Sequence, residues 1–133
     1  GKGAGKPKYE YLTDEYGRIT AAYAEDLKLK PKGQKRGPHN SKTPGKLPGD
    51  DAGHLIADMF DGSGKLDNIV SQKRSINQGD WRMMEESWAK ALDEGSTVEV
   101  LIEVGYKGQD ARPSHFDVRY VIDGVESKKR FKN

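Results

Sequence analysis

The chain of 133 residues contains no cysteine. This absence excludes disulfides, thiolate metal sites and a cysteine nucleophile, so any site chemistry must come from other polar side chains. Long apolar runs are also missing. The longest covers only residues 21–24, whereas a membrane-spanning helix needs about 18 apolar residues. We therefore expect a soluble chain that has no membrane partner.

Apolar residues are scarce as well, at 33% of the chain, which predicts a modest core and long polar loops. The length corresponds to one domain. We expect a flexible tail or linker stub at residues 1–6, where glycine and lysine dominate, and a single domain over residues 7–133.

Apolar periodicity predicts one main helix and several antiparallel strands. The spacing of a helix face is seen at four residues: Trp81, Met84, Trp88 and Leu92. Gly95 follows at a position typical of helix ends. Alternating apolar residues predict a hairpin near the N-terminus, over residues 9–13 and 19–23, and a meander near the C-terminus, over residues 98–104, 116–122 and 125–131. Short apolar runs predict two brief extended segments between them, at residues 53–57 and 68–70. Strands and helix are segregated, so the predicted fold class is α+β.

Positive charge is concentrated in residues 27–49, which contain no acidic residue. The seven basic residues there are Lys28, Lys30, Lys32, Lys35, Arg36, Lys42 and Lys46. The density of proline and glycine predicts a long mobile loop, called the basic loop below. Such a loop suits a polyanion, with Lys32, Lys35, Arg36 and Lys42 as candidate phosphate contacts. A solvated linker is the alternative.

One histidine stands in an unusual setting. His54 follows Gly53 and precedes an apolar run, with Asp50 and Asp51 just before it. A strand can hold such an imidazole with one face open to a ligand, although a hydrogen-bonded histidine at a strand edge is the plainer interpretation. Polar side chains follow downstream, at Asn68, Gln72, Asn77, Gln78 and Glu85. Asn77 would equally serve as a helix N-cap, with Asp80 at N3.

Four stretches together resemble a known family. They are Asp-Ala-Gly-His at residues 51–54, Asn-Ile-Val-Ser-Gln at 68–72, Asn-Gln-Gly-Asp-Trp at 77–81, and Glu85 within residues 84–92. They look like the DNA/RNA non-specific endonucleases of the ββα-metal (His-Me finger) class, in the version found as C-terminal toxin domains of bacterial polymorphic secreted toxins. The resemblance covers roughly residues 9–131 and implies a ββα-metal nuclease core.

The resemblance implies roles that suit the chemistry of these side chains. His54 matches the general base that takes a proton from water. Asn77 matches the direct metal ligand, offering a hard amide oxygen to Mg²⁺, with Mn²⁺ as its substitute. Glu85 matches the position that orients water around the metal. Asn68 and Gln72 match polar positions that line the same site. Asn68 is assigned to the catalytic residues, and Gln72 is assigned with Arg74 to the substrate-binding residues.

One position departs from the family pattern. Most members have arginine where this chain has Ala52, so a guanidinium that could stabilise transition-state charge is missing there. Arg36, Arg74 and Arg82 are candidates to supply it, although each is by default a surface arginine. The remaining histidines, His39 and His115, are expected to have no catalytic part.

We therefore expect a Mg²⁺-dependent endonuclease that hydrolyses phosphodiester bonds of DNA, with RNA as a further substrate. The resemblance also implies a secreted toxin domain that is delivered into a target cell, acts in its cytoplasm and has a cognate immunity protein. Two other functions stay open at this point. One is a non-catalytic nucleic-acid-binding module that uses the basic loop, and the other is a degenerate nuclease fold that serves protein interaction.

Overall fold

A computed structural model describes residues 8–31, 33–35 and 37–133, so the tail expected at residues 1–6 lies outside the described residues. The strands are β1 (Glu10–Thr13), β2 (Ile19–Ala24), β3 (Asp50–His54), β4 (Ile69–Lys73), β5 (Val98–Gly105), β6 (His115–Ile122) and β7 (Val125–Lys132). The helices are α1 (Arg74–Asn77) and α2 (Asp80–Asp93), with a 3₁₀ turn over Asp58–Phe60. In these ranges, no helix has both the length and the apolar character that crossing a membrane requires.

Five strands form one antiparallel sheet in the order β1-β2-β5-β6-β7, which confirms the predicted hairpin and meander. The alternating residues of β5 and β6 bury one face of this sheet. Between β6 and β7 the chain turns at Asp123 and Gly124, which both have positive φ, as a tight hairpin turn of the primed type requires.

Helix α2 packs on the buried face of the sheet through its aromatic side chains. The Trp81 ring lies edge-on to Phe116 and Phe131, with ring centroids 5.4 and 5.0 Å apart. Further along the same face of the helix, Trp88 meets Tyr120 at 5.4 Å. The predicted helix is thereby confirmed. It ends at Asp93, and Gly95, two residues further on, has a φ of 88°, in the left-handed region that favours glycine.

Strands β3 and β4 form a separate antiparallel hairpin that leads directly into α1 and α2. The extended segment starts at Asp50 and ends at His54, three residues earlier than the apolar run at residues 53–57 indicates. This shift has a physical reason. Leu55 and Ile56 are buried as core residues beyond the strand, where the backbone N–H of Leu55 donates to the carbonyl of Asn68 at 2.8 Å.

The described part of residues 27–49 contains no helix or strand, as predicted. It is nevertheless tied to the body of the protein by several contacts. Lys30 Nζ lies 3.0 Å from Asp58 Oδ1, the Asn40 N–H donates to the Gly64 carbonyl at 2.9 Å, and Thr43 Oγ1 lies 2.7 Å from Ser71 Oγ. The described part of the basic loop is therefore irregular but anchored, in contrast to the mobile loop that its composition indicates.

Candidate active site

A cleft of about 1030 Å³ opens between the basic loop, β3, α1 and the start of α2. Its walls include the three principal site residues proposed from the sequence, His54, Asn77 and Glu85. Arg74 and Ala52 also line it. The β3–β4 hairpin and the two helices after it thus bring His54 and Glu85, which are 31 positions apart in sequence, to one surface.

His54 is the last residue of β3 and is 9% exposed. The two residues after it are held in place by Asn68, whose side-chain oxygen accepts a hydrogen bond from the Ile56 N–H at 2.9 Å. The amide nitrogen of Asn68 donates to the carbonyls of Ile56 and Ser63, both at 2.8 Å. The backbone that carries His54 into the cleft is therefore fixed on both sides, by strand pairing before it and by Asn68 after it.

Asn77 is oriented by Asp51. The Asn77 Nδ2 group donates to Asp51 Oδ2 at 3.0 Å. An ionised carboxylate can only accept hydrogen bonds, so the amide nitrogen must face Asp51 and the amide oxygen is left for another partner. The structure thereby corrects the alternative assignment of Asn77 as an N-cap, because Asn77 ends α1 and α2 begins after Gly79 without a side-chain cap.

Asp51 itself is kept ionised. Partial burial opposes its charged form, but hydrogen bonds from Asn77, Arg74 and Gln78 outweigh that effect, so the pKa of Asp51 is lowered. Arg74 Nε lies 2.9 Å from Asp51 Oδ1. The Arg74 side chain is 61% exposed and lines the cleft, where it is directed by this ion pair.

Glu85 lies on α2 beside Trp81 and is 7% exposed. Burial raises the pKa of Glu85 to about 8 from 4.5. Neighbouring Trp81 and Arg82 oppose this shift, although the Trp81 indole nitrogen has no partner in hydrogen-bond geometry among the described residues. A buried carboxyl that lines a polar cleft is suited to a cation or to the water around one, because either would stabilise its charged form.

This buried carboxyl makes stability depend on pH. Between pH 4.5 and about pH 8 the folded protein holds a proton on Glu85 that the unfolded chain has lost, so the free energy of unfolding falls as pH rises through that window. The slope is at most about 1.4 kcal/mol per pH unit. We expect Glu85→Gln to remove this slope in chemical denaturation with EDTA present, whereas Glu86→Gln, a change at an exposed neighbour, retains it. Parallel pH profiles for wild type and Glu85→Gln would contradict the assignment.

Gly53 is required because Gln72 lies against it. In the β3–β4 hairpin Gly53 pairs with Val70 and precedes His54. A Cβ atom at position 53 would lie 2.3 Å from Gln72 Oε1 and 2.9 Å from Gln72 Cβ. Both distances are shorter than carbon or oxygen atoms tolerate, and Gln72 is fully buried, so the hairpin would have to shift.

Gly53→Ala is therefore expected to lower the free energy of unfolding by about 1–3 kcal/mol through overpacking, and to reduce activity by displacing His54. Thermal or chemical denaturation measures the first effect. The double variant Gly53→Ala with Gln72→Ala should recover part of the stability, since it removes the nearer of the two clashes. Additive losses in the double variant would show that the close approach of these two residues is not the cause.

The structure corrects the expectation that Asn68 and Gln72 line the site. Both side chains are 0% exposed and neither borders the cleft. Asn68 forms hydrogen bonds with the segment that follows His54. The Gln72 amide atoms are buried against Gly53 and have no hydrogen-bond partner in the described part of the chain. A side chain without exposed surface cannot contact a substrate, so both act on the site only through His54 and its strand.

The cations proposed for phosphate binding are placed unevenly. Lys35 and Lys42 are exposed on the basic loop but do not border the cleft, and Lys32 and Arg36 lie outside the described residues. Lys30 and Lys46 border it instead. Asp50, which precedes the motif, forms a two-pronged ion pair with Arg112 at 2.8 and 2.9 Å, and this pair lowers the pKa of Asp50.

His39 was expected to have no catalytic part, yet the structure places it in the cleft. Its ring centroid lies 5.3 Å from that of His54. No local sequence signal indicates this, because the chain between His39 and β3 is irregular. The other histidine, His115, lies outside the cleft on β6, where Ser114 Oγ is 2.9 Å from its Nδ1.

The donor set fits a hard divalent cation. In the described ranges, no three histidine, aspartate or glutamate side chains converge as metal ligands. A cation here would depend on the oriented amide oxygen of Asn77 and on water. Mg²⁺ suits such a site because it loses its water ligands reluctantly and is bound through few protein oxygens.

The architecture is that of known nucleases. The structure of NucA from Streptococcus agalactiae with magnesium bound matches it with a TM-score of 0.82 and 22% identity, covering 96% of this chain and 71% of that one. The structure of Sda1 nuclease with bound zinc matches with a TM-score of 0.74 and 17% identity, over 95% and 74%. The fold is therefore that of the ββα-metal nucleases, as predicted.

The sequence comparison makes the assignment specific. A family model for DNA/RNA non-specific endonucleases matches residues 2–124, and the chain belongs to that family. By that family assignment it is an endonuclease domain. Type VII secretion system protein EssD from Staphylococcus aureus (strain USA300) is 40% identical over 132 residues, which cover 92% of this chain; EssD from strain NCTC 8325 / PS 47 matches equally. The chain spans 21% of the length of these relatives.

Proposed function

We propose that the chain hydrolyses phosphodiester bonds of DNA with Mg²⁺ as cofactor, with RNA as a further substrate and Mn²⁺ as a substitute metal. The observation that carries this proposal is the Asp51–Asn77 hydrogen bond, which leaves an amide oxygen available in a cleft shared with His54 and Glu85. A binding module without catalysis has no use for an amide held in this orientation beside a buried histidine and a buried carboxyl.

Each of these residues has a separate role in the proposed reaction. A divalent cation held by Asn77 would neutralise charge on the phosphate and on the departing oxygen. His54 accepts the proton of the attacking water while the water oxygen forms its bond to phosphorus and the bond to the leaving oxygen breaks. The leaving oxygen takes a proton from solvent. Glu85 orients water within the cleft, and Asp51 keeps the Asn77 amide in its orientation.

The experiment is a cleavage assay on supercoiled plasmid, linear duplex DNA and total RNA, with Mg²⁺, with Mn²⁺ or with EDTA. We expect cleavage of DNA at many positions with either metal and none with EDTA. Internal cuts distinguish an endonuclease from an exonuclease, because closed circular plasmid has no ends. Full activity in EDTA, or binding of DNA without cleavage in any metal, would refute the proposal.

The basic loop is proposed to hold flanking phosphates without reading bases. Replacing Lys32, Lys35, Arg36 and Lys42 together by glutamine should weaken binding to duplexes of any sequence. The slope of log K against log salt should fall by about 0.9 for each phosphate that the variant no longer binds. A matched control replaces four other cations, Lys8, Lys90, Lys128 and Lys129, which are exposed elsewhere. Equal slopes for both quadruple variants would show that the basic loop is a solvated linker.

The likeness to EssD supports a role in secretion. We propose that the chain is the nuclease part of a secreted toxin that acts in the cytoplasm of a target cell, and that a cognate immunity protein inhibits it in the producing cell. A non-specific nuclease would destroy the nucleic acid of the cell that makes it, so an inhibitor is required. Expression of the wild type should therefore be toxic, whereas His54→Ala should be tolerated at the same protein level.

A further inference from the structure

His39 is held beside His54 by backbone contacts on both sides. The Gly37 N–H donates to Asp58 Oδ1 at 3.2 Å, and the Asn40 N–H donates to the Gly64 carbonyl at 2.9 Å. The approach at Gly64 is close, because a Cβ there would lie 2.2 Å from the Pro38 carbonyl oxygen. Residues 37–40 are thus attached to the segment that follows His54, so the fold keeps the backbone of His39 beside His54.

The cations that line the cleft within the described ranges are each engaged with a carboxylate or a carbonyl. Lys30 is paired with Asp58, Arg74 with Asp51, and Arg82 with Glu86. Lys46 Nζ donates to the Ser41 carbonyl at 3.2 Å. Ala52 lines the same cleft and offers no charge. Each cation that lines the described cleft is therefore partly engaged by the protein itself, and a phosphate oxygen near His54 would gain from a further N–H donor.

His39 can provide one. Its side chain is exposed, it borders the cleft, and neither ring nitrogen forms a hydrogen bond to a described residue. The tilt of 55° between the two rings leaves the imidazoles unstacked, so they can contact different atoms of one substrate group. An N–H beside the general base lies where charge grows on the phosphate during attack by water.

We propose that His39 is a second substrate-contacting residue, which donates a hydrogen bond to a non-bridging oxygen of the phosphate under attack by the water that His54 deprotonates. The inference rests on the proposed function, since it assumes that the scissile phosphate occupies this cleft. It assigns to His39 part of the transition-state stabilisation that Ala52 cannot supply. A donor whose backbone is anchored beside the cleft has little reorganisation to undergo when charge grows on the phosphate.

The test compares four substitutions on two substrates. His39→Ala and His39→Phe remove the donor, and the phenylalanine keeps a ring against His54. His39→Gln keeps an N–H donor, and His115→Ala is the matched control at a histidine outside the cleft. Each variant is assayed with Mg²⁺ on plasmid and on a p-nitrophenyl phosphodiester of thymidine, which has one phosphate and no flanking backbone. The thermal unfolding temperature of each variant is also measured. We expect it to be unchanged in the His39 variants because the His39 side chain is exposed.

We expect kcat/KM to fall at least about tenfold for His39→Ala and His39→Phe, by the same factor on both substrates. His39→Gln should lose clearly less, and His115→Ala should match the wild type. A loss confined to plasmid would contradict the inference, since it would place His39 on a flanking phosphate. Wild-type activity in His39→Phe would contradict it too, leaving a packing role. A wild type inactive on both substrates would instead refute the proposed function.

Discussion

Replacing His54 by alanine is expected to abolish detectable cleavage while the fold and the affinity for DNA remain. The general base contributes about 10²- to 10⁴-fold to the rate of such a reaction, but little to phosphate binding. The structure supports this separation, because the backbone around His54 is held by β3 pairing and by Asn68. Plasmid cleavage and DNA binding are measured on the same protein preparation.

Two controls make this result specific. His115→Ala removes a histidine outside the cleft and should leave the cleavage rate unchanged. His54→Gln keeps a polar side chain of similar length, so a loss of activity in a normally folded His54→Gln protein excludes a packing defect as the cause. Wild-type turnover by a correctly folded His54→Ala protein would refute the assignment of the base.

Asn77→Ala is expected to lower both the apparent affinity for Mg²⁺ and the maximal rate. The amide oxygen is the one direct protein ligand that the proposal assigns to the metal, so its removal weakens binding and misplaces the cation. Excess Mg²⁺ should restore only part of the rate. The measurement is the initial cleavage rate as a function of Mg²⁺ concentration.

Asp51→Asn provides the partner variant. An asparagine at position 51 can present either its oxygen or its nitrogen to Asn77, so the Asn77 amide is no longer compelled to keep its oxygen available to the cleft. We expect a weaker but related effect, of about 10- to 100-fold in metal affinity or rate, with the Asn77 side chain intact. Superimposed Mg²⁺ titrations for the wild type and Asn77→Ala would show that Asn77 plays no part in metal binding.

Periodicity in the sequence predicts the parts of the fold where one face is buried. Trp81, Met84 and Trp88 lie on the core face of α2, and the alternating residues of β5 and β6 lie on the core face of the sheet, because burial leaves the same spacing in the sequence. The β3–β4 hairpin is less regular. The residues of β3 are Asp, Asp, Ala, Gly and His, which do not alternate between apolar and polar as a strand with one buried face does.

The candidate site is predictable only in part for the same reason. The motif identifies His54, Asn77 and Glu85, and the structure brings all three to one cleft. The motif does not distinguish a residue whose side chain faces the cleft from one that is buried beneath it, as Asn68 and Gln72 are. Nor does it reveal His39, since the position of an irregular loop depends on distant anchors such as Asp58 and Gly64.

Whether Asn77 holds the catalytic metal is decided by the Mn²⁺-binding isotherm of the His54→Ala protein. The isotherm is measured by electron paramagnetic resonance with and without the Asn77→Ala substitution. Using the His54→Ala background removes cleavage, so binding is read without turnover. We expect one Mn²⁺ per chain in His54→Ala and loss or strong weakening of that site when Asn77 is also replaced. An isotherm unchanged by the Asn77 substitution, or no bound Mn²⁺ in a correctly folded His54→Ala protein, would show that Asn77 does not hold the metal.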